Sequence, residues 1–112
     1  MTVKFTNKAA TTLSAGINNS VTSIGVADGS VFPTLGTGDI TFVTFDDGTN
    51  VEVCKVTAIS GNTLTVVRAQ DNTTARAFAS GDKAELRITA ALMNEIISDA
   101  EETATALSLV MS

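Results

Sequence analysis

Up to about residue 88 the chain alternates short apolar runs with clusters of Gly, Asp, Asn and Ser; beyond it the apolar residues recur every three or four positions. The first pattern has the period of strands, the second that of a helix. Val21–Val26 reads as a strand that stops at the turn pair Asp28-Gly29. Ile40–Phe45 and Val51–Ile59 flank Asp46-Asp47-Gly48, and Ser60-Gly61-Asn62 leads into Thr63–Arg68, so two hairpins in succession predict a three-strand meander. Lys83–Ile88 supplies a last short strand with Ala84, Leu86 and Ile88 on one face. Between the first strand and the meander, Pro33 cannot donate to a ladder, and Val31, Phe32 and Leu35 are expected to fold back as a plug over the core.

Short strands at regular turn spacing predict a mainly β fold, a small β-sandwich or open β-barrel of antiparallel strands, over residues 1–88. Residues 89–112 add one C-terminal α-helix to the same unit, with Thr89 as its N-cap. Met93, Ile96, Ala100, Thr103, Leu107 and Val110 fall at a and d spacing, and Ile97, Ala104 and Met111 widen the stripe. The seam is short, weak at Ala100 and Thr103, and flanked by no Lys or Arg. It suits a helix laid against a sheet, or one gathered with copies of itself, better than a free coiled coil. Met93, Ile96, Ile97, Ala100, Leu107 and Val110 are therefore the candidate assembly interface.

Composition narrows the chemistry. The 112 residues contain no His, Trp or Tyr and one Cys, so the commonest general base and metal ligand is missing, and Cys54 can form no internal disulfide. The periodicity does not decide which face of its strand Cys54 occupies. A net charge of −5 with scattered bases argues against nucleic acid. No apolar stretch suits a signal peptide or a membrane span, so the chain is expected to work without a membrane. The charge splits unevenly: residues 1–88 carry seven bases and eight acids, whereas residues 89–112 carry Glu95, Asp99, Glu101 and Glu102 and no base.

The stretch Val66–Asp82, "VVRAQDNTTARAFASGD", departs from both patterns. It holds a single Gly and is followed by a strand, whereas a phosphate cradle needs a Gly-rich turn opening a helix. Asp46 and Asp47 are neighbours on a turn, and Asp28, Asp39 and Asp82 sit where turns use Asp for backbone bonding. No serine elbow or base accompanies the hydroxyls. The residues predict no catalytic group, no cofactor and no metal. The stretch instead reads as a crossover connector, with Arg68, Arg76, Phe78 and Arg87 as candidate anchors. The arginines would fork onto turn carboxylates or loop carbonyls, or pair with Glu95 or Glu102 of another copy. Phe78 would pin the connector to the core or meet a partner.

Two segments, "AATTLSAGINNSVTSIGVADGSVFPTLGTGD" and "VEVCKVTAISGNTLTVVRAQDNTTARAFASGDKAELRITAALMNEI", resemble a domain that recurs in structural proteins of tailed bacteriophages, often at the N-terminal end of tail-fibre or related appendage proteins. The resemblance runs from Ala9 to Ile97. It departs at "RAQDNTT", where the family pattern more usually has glycine after Arg68 and another near Asn72. It implies a non-enzymatic virion protein, assembled in the bacterial host cytoplasm, that acts as a multi-copy docking or adaptor module of the tail or its fibres. A capsid decoration protein joining neighbouring shell subunits is the alternative. Expected partners are other virion proteins of tail, fibre or capsid and copies of the chain itself, with a trimer favoured. A carbohydrate-binding module ranks below both, for want of Trp or Tyr platforms.

Overall fold

The computed structural model describes residues 2–6, 9–87, 89, 90, 92–94 and 97. The strands are β1 (Thr2–Val3), β2 (Ala10–Thr12), β3 (Ser23–Gly25), β4 (Asp39–Asp46), β5 (Val51–Ser60), β6 (Thr63–Gln70) and β7 (Lys83–Glu85). They form one sheet in the order β2-β7-β4-β5-β6-β3, with β1 pairing parallel to the start of β4 and every other neighbour antiparallel. The sheet curls into a half-barrel, and the residues that follow β2 and β3 touch at one point. Around a Leu13–Val26 bridge, Ser14 N–H donates to the Gly25 carbonyl (3.1 Å) and Ala27 N–H to the Thr12 carbonyl (2.8 Å). Of the two β architectures expected, the fold is the open barrel.

The expected meander is present as β4–β5–β6. The expected strand at Val21–Val26 is shorter, as β3 with a bridge at Val26, and β7 ends at Glu85, with Leu86 N–H continuing to the Ala9 carbonyl (2.9 Å). Ile88 lies outside the described residues. β1 and β2 have no counterpart in the sequence reading; they are strands because β4 and β7 offer them an edge. After β3, Asp28 caps a 3-10 turn over Gly29–Val31. Gly29 packs so tightly on the β5–β6 hairpin that a Cβ there would collide with the Gly61 carbonyl oxygen.

Two apolar clusters hold the molecule together. Inside the barrel, Leu13, Ile24, Val26, Val43, Phe45, Cys54, Val56, Leu64 and Val66 are buried with Phe32 and Phe78, and Val31 and Leu35 complete the plug. On the outer face, Val3, Ile40, Phe42, Val53 and Leu92 form a second cluster. β4 is thus buried on both faces, as the unbroken run "ITFVTF" allows. That placement also buries the hydroxyls of Thr41 and Thr44, which have no hydrogen-bond partner among the described residues.

Thr89 caps the helix: its Oγ1 accepts from Leu92 N–H (3.1 Å) and its carbonyl from Met93 N–H (3.0 Å). Residues 90, 92–94 and 97 are helical. Burying the Leu92 side chain completely contributes roughly 1.5–3 kcal/mol and fixes the helix start on the sheet.

Candidate functional site

The densest polar arrangement sits where the connector crosses the barrel, and its centre is a residue the sequence reading did not single out. Glu52 faces inward on β5, opposite Phe45, and is completely buried. Arg68 shares the inward parity of Leu64 and Val66 on β6. Arg68 Nε donates to Glu52 Oε2 and Nη2 to Oε1, both at 2.8 Å. Nη1 donates to the carbonyls of Asn18 (2.8 Å) and Val21 (2.9 Å), and Nη2 also to that of Arg76 (2.7 Å). All five guanidinium N–H groups therefore have acceptors.

The carboxylate is equally engaged. Besides Arg68 it accepts from the backbone N–H of Ala69 (3.0 Å) and Arg76 (2.9 Å) and from the Cys54 thiol (3.3 Å). Burial by itself pushes the Glu52 carboxyl up, but Arg68 and the two N–H donors outweigh it and hold it below the ordinary value. Cys54 shows the opposite balance: burial, and then the neighbouring carboxylate, push its thiol up to about 12. It is a buried, protonated donor, and its face is the barrel interior.

This pair ties together β5, β6, the turn before β3 and the connector. The chain it restrains is strained, since Ala69, Asp71 and Asn72 have φ of 56°, 57° and 60°, the left-handed region.

The other anchors divide. Arg76 contributes its backbone, with N–H to Glu52 and carbonyl to Arg68, while the residue itself is exposed. Phe78 is buried; it exchanges backbone bonds with Ile17 (2.8 and 3.1 Å), and its ring tilts at 50° against Phe45, centroids 5.8 Å apart. Arg87 reaches a turn carboxylate, Asp46 (2.9 Å), and Glu85 (3.0 Å). The Arg87 hydrogen bond, with that of Gly48 N–H, holds the Asp46 carboxyl below its usual range. These charged groups cross-link segments of the chain. Among the described residues no three His, Cys, Asp or Glu are grouped to hold a metal ion.

Of the candidate assembly residues, Met93 is 44% and Ile97 52% exposed; Ile96, Ala100, Leu107 and Val110 lie outside the described residues, as do Glu95 and Glu102. The side chain that docks the helix is Leu92, which the heptad reading left off the stripe. No protein-family model matches the chain, and no curated protein matches it with significance.

Proposed function

We propose that this chain is a non-enzymatic structural module of a tailed-phage virion, assembled in several copies where tail or fibre proteins dock. The observation that supports the reading is the way the helix starts. Leu92 is buried against the outer sheet face, while Met93 and Ile97, the described members of the apolar stripe, are turned to solvent. A helix stabilised only within its own monomer would bury that stripe. One that gathers with sister helices anchors one side and offers the other. The stripe is wider than a two-helix seam, which favours three copies. The buried ionisable groups fit the same role, because a carboxylate and a guanidinium whose bonds are all made within the chain act as braces.

Sedimentation equilibrium tests the assembly step. A concentration-dependent trimer is expected, and Met93→Asp with Ile97→Asp returns it to monomer while leaving the β signal in circular dichroism unchanged. A protein that stays monomeric at all concentrations sinks the reading. Immunogold labelling of the intact particle tests the position: label at the tail supports docking, and label over the shell replaces it with capsid decoration.

A further inference from the structure

We propose that the outer edge of the connector around Ala77 is a docking site for an extended, basic segment of another protein, which adds there as a strand. In an extended chain, the N–H and C=O of one residue point to the same side and those of the next to the other. Arg76 turns both groups inward to Glu52 and Arg68, and Phe78 turns both inward to Ile17. The N–H and C=O of Ala77 therefore face outward, and neither makes a bond among the described residues; the same holds for Ala75, the preceding outward position.

Alongside this edge runs an open groove of about 560 Å³, lined by Ala77, Phe78 and Ala79, by Asp47 and Thr49 of the β4–β5 hairpin, and by Asp82. Small side chains on the connector wall let a second backbone approach closely. Strand addition gives affinity through main-chain bonds and specificity through alternate side chains. The groove supplies the second part with two carboxylates and, among its described lining residues, no base. Asp82 uses Oδ2 to accept from Ala79 N–H (2.7 Å), and Asp47 uses Oδ1 for the N–H groups of Thr49 (2.8 Å) and Asn50 (2.6 Å). Asp82 keeps its other oxygen without a hydrogen bond among the described residues, and a lysine or arginine on the added strand matches both carboxylates in charge. The site is separate from the helix surface, and the failure of either reading leaves the other standing.

The test is an NMR titration of the isotope-labelled full chain with the blocked hexapeptide Thr-Val-Lys-Val-Thr-Val, beside a version with glutamate in place of lysine. The Ala77 and Ala75 amides are expected to shift saturably. Hydrogen exchange at Ala77 should slow by about tenfold or more as its N–H gains an acceptor. The glutamate peptide should bind at least about tenfold more weakly, and Asp47→Asn, which keeps the turn acceptor, should weaken the lysine peptide by about threefold or more. An unmoved Ala77 amide at millimolar peptide, or shifts confined to another edge, overturns the site. Equal binding of the two peptides overturns the basic partner. Protection of Ala77 that rises with protein concentration alone overturns it too, by making a second copy the occupant.

Discussion

Replacing Glu52 by Gln keeps the shape of the side chain and removes its charge. The consequence follows from what surrounds the two oxygens. Oε1 receives Arg68 Nη2 and Arg76 N–H; Oε2 receives Arg68 Nε, Ala69 N–H and the Cys54 thiol. Whichever way the amide is turned, its NH₂ meets at least two donors with nothing to accept from it. Arg68 is left as a buried cation without a counter-charge, its acceptors three backbone carbonyls and one amide oxygen. Breaking a buried pair from one side costs about 3–5 kcal/mol. Against a total stability of roughly 5–15 kcal/mol, that is a large fraction. For a domain of this size it lowers Tm by about 12–20 °C. Urea unfolding followed by circular dichroism measures the loss, and hydrogen exchange at Ala69 and Arg76 shows whether it begins at the connector. Replacing both partners by apolar residues, Glu52→Leu with Arg68→Met, should cost less than the two single changes together. A loss under about 1 kcal/mol for Glu52→Gln, or strict additivity of the pair, would refute the picture of a mutually satisfied brace.

The same carboxyl sets a pH dependence. Its folded value is held below the ordinary 4.5, so its stabilisation is complete above that value and is lost as pH falls through the folded one. Unfolding free energy should therefore hold through neutral pH and drop in acid, with a shallower drop in Glu52→Gln, as urea midpoints across a pH series would show. Ala69→Gly should raise stability by about 0.5–1 kcal/mol, because φ is 56° there and the residue is exposed; a lower urea midpoint contradicts the strain argument. Thr41→Val removes a buried hydroxyl with no partner among the described residues and should gain about 1 kcal/mol by the same assay. Cys54 should resist a thiol reagent such as DTNB in the native state and react only as fast as the protein opens; prompt labelling at neutral pH would contradict a thiol held at about 12.

The meander could be read from the sequence because Asp46-Asp47-Gly48 and Ser60-Gly61-Asn62 mark both of its turns. The brace beneath the connector could not, for a reason that lies in β5. Along that strand one parity carries Glu52, Cys54 and Val56 and the other Val51, Val53 and Lys55, so each face has one charge and no alternation names the inside. The ambiguity is physical: Val53 is buried too, because the outer face is covered by β1 and the helix start. One signal did exist. Arg68 follows Leu64 and Val66 at the inward parity, and an arginine facing a core calls for a carboxylate on a neighbouring strand. Glu52 is the only acid between the Asp46-Asp47 turn and Arg68. The helix shows a similar gap. Heptad spacing groups residues by their relation to one another, and Leu92 matters through its relation to Ile40 and Phe42. β1 and β2 are too short to carry a period of their own.

The way the sheet closes also sets an order of events. The β4–β5–β6 strands pair with their chain neighbours and can form as soon as they exist, whereas the ladder of β2 is made with β7, near the other end of the described chain. Non-local pairing of this kind is slow to form. During synthesis the β2–β7 ladder cannot form until Lys83–Glu85 has left the ribosome. In that interval the stretch of β4 that β7 covers, Thr44 to Asp46, is open to a neighbouring nascent chain. Three residues of β7 act as the latch that ends this exposure, so crowded expression would be hardest on a chain whose latch is weakened.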